Sequence, residues 1–478
     1  MKIIKLFYIL LFAMANCLPA FSAVYTVTNT NDAGAGSLRQ AMISAEANSG
    51  ADVINITATG TVTLSFALPN ITQDLTINGS GMNDFIIDAN GGYNPLTLRR
   101  IFTITSGIVS INNLTVTKGL IQDATHAMGG GIYNAGTLRL ENVAVIDNSV
   151  VGLDVSNGDG VDAEGGGIYT SGPIVIINCS IKDNNTSGGQ TDDPVATGGN
   201  SRGGGICIAG GTNHQILYST IANNGADPGR TNSYNNWGSP IGGGIECYSG
   251  NNLVLFNCTI TDNYVSDAEN TMCDCFGAGI SCGAPGDIIK ISNCLIANNL
   301  TYTVGSGTNI FGGGIYSKSA SAGNGPIIKN TIITGNSFSG SNGPDCYNFI
   351  QSRGYNLISD LNGFTLDVAS PNTNTGNLLG SSYNANLDVL AYNGGPTETM
   401  ALLTGSDAID AGSGTDIDGN AVTQDQRHFY RYAPFDMGPY EYNSSNIAIP
   451  LLPMWGFIIL VAIILIISFL FHRKLKTV

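Results

Sequence analysis

A Gly-Gly-Gly-Ile-like element recurs through the middle of this chain, with its isoleucine at Ile132, Ile168, Ile206, Ile245, Ile280 and Ile315. The spacings are 36, 38, 39, 35 and 35 residues. A near-constant period in that range restricts a chain to a solenoid, a propeller or an array of small units. A second element runs inside each period. Its aliphatic position is Leu140, Ile176, Ile216, Leu255, Ile291 and Ile328, and five residues on stand Val145, Ile181, Ile221, Ile260, Ile296 and Ile333. Three residues further stand Asn148, Asn184, Asn224, Asn263, Asn299 and Asn336.

Three aliphatic columns and one Asn column predict an all-β, right-handed parallel β-helix. Equivalent residues of successive coils would stack at about 4.8 Å, with aliphatic columns inside and Asn amides laddered at a turn. Length varies in two stretches. One is 8 to 13 residues, from the Gly-led Ile to the second column; the other is 16 to 22, from the Asn to the next Gly-led Ile. The longer stretches, as in 151–165 and 188–203, are polar and Gly-rich and should project from one side. A β-propeller competes, since its blades run about 40 residues, but each period offers three short strands rather than four with hairpins. Upstream, 52–117 reads as less regular coils. Before them Ser37 and Gln40 form a capping box, with Leu38, Ala41, Met42 and Ala45 on one helical face. Solenoid ends need covering, so this helix is the expected N-terminal cap. About ten coils give a rod roughly 50 Å long.

The chain has 63 Gly, 11% charged residues, 43% hydrophobic residues and a net charge of −16. Low charge with much apolar surface excludes disorder, and Gly without a three-residue period excludes collagen. The basic ends (Lys2 and Lys5, then Arg473, Lys474 and Lys476) leave a still more acidic middle. Such a middle repels phosphates, so nucleic acid is excluded as a partner. Residues 1–23 read as a secretory signal, with export machinery as the implied partner. Residues 451–471 are almost wholly apolar and free of charge, which predicts a single transmembrane helix. The basic cluster after them places the C-terminus in the cytoplasm. The expected organisation is a signal at 1–23, a capped β-helix at 24–336, a C-terminal part of solenoid and cap at 337–446, and an anchor at 447–478.

Ile449-Pro450-Leu451-Leu452 and Trp455-Gly456, followed by the apolar run and basic end, resemble the IPTL-type C-terminal sorting domain of Gram-negative bacteria. Leu451 stands where that family's name has Thr. The resemblance implies a sorting protease as a partner. Upstream, Gly36-Ser37-Leu38-Arg39-Gln40-Ala41, Asn393-Gly394-Gly395-Pro396-Thr397, Asp425-Gln426-Arg427 and Asp436-Met437-Gly438-Pro439-Tyr440-Glu441 resemble choice-of-anchor Q proteins and related β-helix surface proteins. His428, Met437 and Pro439 depart from that pattern. This resemblance implies an exported β-helix and carries over no catalytic residue.

Chemistry is sparse. Asp147, Asp183 and Asp262 share one column just before the Asn ladder, with Asn223, Asn298 and Gly335 at the other levels. Neighbouring coils would hold such carboxyls about 5 Å apart, the separation used by retaining glycosidases. Oxygen ligands so placed also suit Ca²⁺. Turns favour Asp and Asn for a plainer reason, bonds to their own backbone. His126, His214 and His428 are scattered, and no cofactor or metal-ligand spacing appears. Cys247 with Cys282, and Cys258 with Cys294, stack at a separation compatible with either disulfides or free thiols. Tyr234 and Trp237 lie in a projecting loop and suit either a ligand or loop packing. The reading is a non-enzymatic cell-envelope protein for adhesion or extracellular-matrix contact, with a polysaccharide or surface protein as ligand. The alternative is a polysaccharide lyase or glycoside hydrolase working through the Asp column.

Overall fold

The computed structural model describes residues 21–444, apart from 91–98, 126, 232–236, 249–250, 268–272, 284–285, 304–309, 339–342 and 370. Each coil repeats one path. Ile132–Asn134 forms the first face of the rod, and Thr137–Ile146 bends at Asn142 to give the second and third faces. Ser149–Gly152 then leaves the rod, and Ala163–Glu164 returns to the next first-face strand, Ile168–Thr170. Successive coils pair in parallel. Ile132 faces Ile168, then Ile206, Ile245, Ile280 and Ile315. The Leu140 and Val145 columns are in register in the same way. All three columns are fully buried. Parallel pairing between coils excludes a propeller, whose blades are antiparallel. The fold is a parallel β-helix.

The Asn column explains how polar groups survive in that interior. Each Oδ1 from Asn184 to Asn336 accepts the Nδ2 of the preceding Asn at 2.8–2.9 Å and its backbone N–H at 3.0–3.1 Å. Gly119 N–H caps one end on Asn148. Asp345 closes the other, accepting from Asn336 Nδ2, Ser359 Oγ and Asp360 N–H at 2.7–2.9 Å. A satisfied buried network stabilises; a half-satisfied one is costly. Two columns of left-handed residues bend the coil. Asn142, Asn178, Tyr218, Asn257, Asn293 and Asn330 have φ of 51° to 55°. Asp147, Asp183, Asn223, Asp262, Asn298 and Gly335 have φ of 54° to 67°. Asn, Asp and Gly tolerate this region best.

The projecting stretches are ordered. Ser149–Gly152, Asn185–Ser187, Gly225–Asp227, Tyr264–Asp267 and Leu300–Thr303 stack into an outgoing sheet. Ala163–Glu164, Ser201–Arg202, Pro240–Ile241, Cys275–Phe276 and Ile310–Phe311 stack into a return sheet. Small side chains such as Ala226, Val265, Cys275 and Ala278 pack in this lobe. Beyond the strands, backbones approach so closely that Gly is required: a Cβ on Gly199 would lie 2.1 Å from Val161 O.

Helix α1, Leu38–Ala47, covers the N-terminal end. Ser37 Oγ accepts Gln40 N–H at 3.2 Å, and Leu38, Ala41, Met42 and Ala45 are buried with Val27 and Ile54. At the other end the solenoid continues through Phe364–Asp367 and Leu378–Leu379. Residues 384–444 then fold back along the third face. Met400, Leu402, Ala408 and Met437 pack on Leu295, Ala297, Ile332 and Leu357. Buried Gln426 bridges Thr259 Oγ1 (2.7 Å), Thr220 Oγ1 (3.0 Å) and Thr397 Oγ1 (3.0 Å). Asp425 accepts Arg427 Nε and Nη2 at 2.9 and 2.6 Å, and the Arg427 guanidinium lies 3.6 Å from the Tyr440 ring centroid. The Asp-Gln-Arg motif thus fastens this strap to the rod.

One part of the expected fold class is corrected. Among the described residues Leu38–Ala47 is the sole α-helix, and no helix is long and apolar enough to cross a membrane. Ten residues of helix span about 15 Å, half the hydrocarbon core. Among the described residues the fold is all-β with one capping helix and no transmembrane helix. Residues 451–471, and 1–20 of the expected signal, lie outside the described residues.

Candidate functional site

The return sheet of the lobe meets the first face at a bend made by Gly165, Gly203, Gly242, Gly277 and Gly312, with φ of 59° to 66°. A left-handed residue at every level turns the chain through a corner that a Cβ would strain. Side chains pointing outward from the two sheets therefore meet in a concave corner along the rod, a groove largely filled by those side chains. Strand alternation selects which ones they are. The first face presents Tyr133, Tyr169, Cys207, Glu246, Ser281, Tyr316 and Tyr347. The return sheet presents Glu164, Arg202, Ile241, Phe276 and Phe311.

Charge is gathered in the middle of this groove. Arg202 Nη1 contacts Asp162 Oδ2 at 2.6 Å and Glu164 Oε1 at 3.1 Å. The Tyr248 hydroxyl donates to the same Glu164 oxygen. Lys318 Nζ reaches Glu246 Oε1 at 2.7 Å and Cys247 O at 2.5 Å. Tyr248 joins the two pairs: Arg202 lies 5.9 Å and Lys318 5.7 Å from its ring centroid. Glu164 and Glu246 are buried, while Arg202, Tyr248 and Lys318 are half-buried. Burial disfavours the Lys318 charge, but Glu246 more than offsets it and the ammonium pKa lies above the ordinary lysine value. Burial likewise works against Arg202, and Tyr248, Asp162 and Glu164 reverse it, so its pKa is raised. Burial, then Cys207 and Glu164, push the Tyr248 phenol up. These groups hold fixed charges and a fixed proton near neutral pH.

Aromatic rings frame the charged centre on both sides. Toward the N-terminal end Tyr133 and Tyr169 stack with centroids 5.4 Å apart and planes 10° from parallel. The Arg100 guanidinium sits 5.0 Å from the Tyr133 centroid, and burial lowers its pKa to about 10. Toward the C-terminal end Phe276 meets Tyr316 at 4.8 Å and Phe311 meets Tyr347 at 4.2 Å across the corner. Phe276 with Phe311, and Tyr316 with Tyr347, stack along the rod at 5.9 Å. Six rings thus flank a paired charge cluster. Glu164 and Glu246 each face a cation, so the arrangement offers hydrogen bonds and flat apolar surface rather than a free acid or base.

The Asp column lies elsewhere. Asp147, Asp183 and Asp262 are exposed, left-handed turn residues beside the Asn ladder. Asp147 and Asp183 are on neighbouring coils, and Asn223 separates Asp183 from Asp262. Burial pushes the Asp147 carboxyl up, Lys118 opposes it and Asp183 adds to it. Asp262 Oδ2 accepts the neighbouring Thr261 hydroxyl at 2.9 Å. Among the described residues no group of three or more His, Cys, Asp or Glu is placed to hold a metal. Asp416 closes its own turn on Asp418 and Asn420, and Asp418 pairs with Lys290. Tyr234 lies outside the described residues; Trp237 packs against the lobe core. Cys247, Cys282, Cys258 and Cys294 stand in the structure as free, buried thiols, and burial raises Cys247 to about 12.

No known protein family matches the chain, and no curated protein does. Among solved structures it is similar to a rhamnogalacturonan lyase at 13% identity, covering 77% of this chain and 92% of that one, with a TM-score of 0.30. It is also similar to ORF18 of Geobacillus virus E2 at 11% identity, covering 72% and 62%, with a TM-score of 0.25. Scores this low carry no argument, and the fold rests on the parallel registers.

Proposed function

We propose that this chain is an exported, non-enzymatic β-helix of the choice-of-anchor Q kind that binds an extended polysaccharide along its outer groove, for adhesion or matrix contact. The observation that carries this is the pair of aromatic stacks flanking one fixed ion-pair cluster. Ring faces offer flat apolar surface to the C–H faces of sugars, and amphipathic aromatics bind with little loss of side-chain freedom. Charged donors and acceptors between them suit hydroxyl or carboxylate groups. Stacking by coil sets the groove's side chains at an even spacing along its axis, which suits an extended polymer although the residue types differ between levels. The secretory-type N-terminus and the resemblance to an IPTL-type sorting domain support an envelope location.

Affinity electrophoresis of the full-length protein in gels containing soluble neutral or uronic-acid polysaccharides tests the reading. At least one polymer should retard it, Tyr316→Ala or Tyr133→Ala should weaken that retardation, and mass spectrometry should find no new chain ends. Free migration in every gel would contradict polysaccharide binding. New chain ends would make the protein an enzyme.

A further inference from the structure

A second concavity lies on the lobe, off the outgoing sheet rather than in the groove. It is a cleft of about 350 Å³ between Ser187, Gln190, Asp227, Arg230 and Trp237. This volume is within the range of small-molecule sites. Two adjacent levels supply its walls, because Ser187 and Asp227 end adjacent strands in register. The Trp237 indole packs against the lobe core, which fixes its plane, and the Arg230 guanidinium lies 5.8 Å from its centroid. Its Nε1 is out of solvent with no hydrogen-bond partner among the described residues. Asp227 is held by Asn185 Nδ2 at 3.2 Å and by the Ser266 hydroxyl. Burial also pushes its carboxyl up, with both hydrogen bonds opposing that rise.

We propose that this cleft binds a single sugar unit, a chain end or a branch, independently of the polymer groove. The complement is chemical. A pyranose has an apolar C–H face for an indole and a rim of hydroxyls for a carboxylate, a guanidinium and an amide. The inference stands apart from the polysaccharide reading, since no groove residue lines the cleft.

Tryptophan emission tests it directly, because the chain has 2 Trp and Trp455→Phe leaves Trp237 as the reporter. The full-length Trp455→Phe protein is titrated with methyl glycosides of neutral and acidic hexoses. At least one should give a saturable change. Adding Asp227→Asn or Gln190→Ala should weaken it about tenfold, or about 1.4 kcal/mol, while the melting temperature stays put. Gln190 is exposed, so its variant reports even where Asp227→Asn perturbs the lobe. Tyr316→Ala should leave the titration unchanged. No saturable change with any glycoside, or one that survives both cleft substitutions, would overturn the proposal.

Discussion

The inward and outward columns of the same first-face strands obey different rules. Inward, Ile132, Ile168, Ile206, Ile245, Ile280 and Ile315 are identical and fully buried. One residue on and pointing out, the sequence runs Tyr133, Tyr169, Cys207, Glu246, Ser281 and Tyr316. The backbone and the 35- to 39-residue spacing are common to both. Stacking in a dry interior rewards like on like, because close packing tolerates neither gap nor excess volume. The outer column, though largely buried too, packs against return-sheet residues that differ from level to level, so like on like is not rewarded there. Its variation grades the groove into ring, charge and ring.

Substitutions that break this contrast should rank by burial. Ile260→Asp places a charge in the third-face column, and a buried unpaired charge costs about 4 kcal/mol or more. Calorimetry should show loss of the cooperative transition or a much lower melting temperature; a wild-type transition would refute the inward assignment. Asn263→Leu removes the acceptor for both Asn224 Nδ2 and Asn224 N–H. Orphaned buried donors should cost roughly 2–4 kcal/mol, read as a lower midpoint in urea. An unchanged midpoint would mean that the ladder does not stabilise the rod.

His214 gives a smaller, pH-dependent effect. It is fully buried in an aliphatic column beside Leu253. Burial lowers its pKa, and nearby Asn251 and Gly211 oppose this without reversing it. A lowered folded pKa means that the unfolded chain binds the proton more readily. Stability from the neutral ring is full above about pH 6.5 and is lost as pH falls toward the lower folded value. His214→Leu should therefore change stability little at pH 8 and resist acid unfolding near pH 5. Parallel acid curves for the two proteins would contradict this. Smallest of all, Asp147→Asn should shift stability by no more than about 0.5 kcal/mol, since Asn223 and Asn298 hold the same turn elsewhere. A larger loss in thermal melts would show that the carboxylate itself is needed.

The interior was legible because stacking repeats itself in the sequence. The Leu140, Val145 and Asn148 columns and the α1 cap follow from spacing alone. The left-handed column at Asn142, Asn178 and Asn257 is less plain in the sequence, because Tyr218 interrupts it. The groove was hidden for a deeper reason. Its members come from two sheets joined through a glycine bend, and Tyr248 and Lys318 reach back across coils to Glu164 and Glu246. Their positions keep the period of the Gly-led Ile, but their residue types do not repeat. The fold-back of 384–444 depends on long-range pairs such as Thr220 with Gln426, which local pattern cannot show.

The most direct test compares the outer groove with the turn column in one binding assay. Affinity for the polysaccharide that retards the wild type would be measured for Tyr133→Ala/Tyr316→Ala and for Asp147→Asn/Asp183→Asn. The account predicts a loss of about tenfold or more, at least about 1.4 kcal/mol, in the first and wild-type affinity in the second. Loss confined to the aspartate variant would place the site on the turn column and contradict the groove.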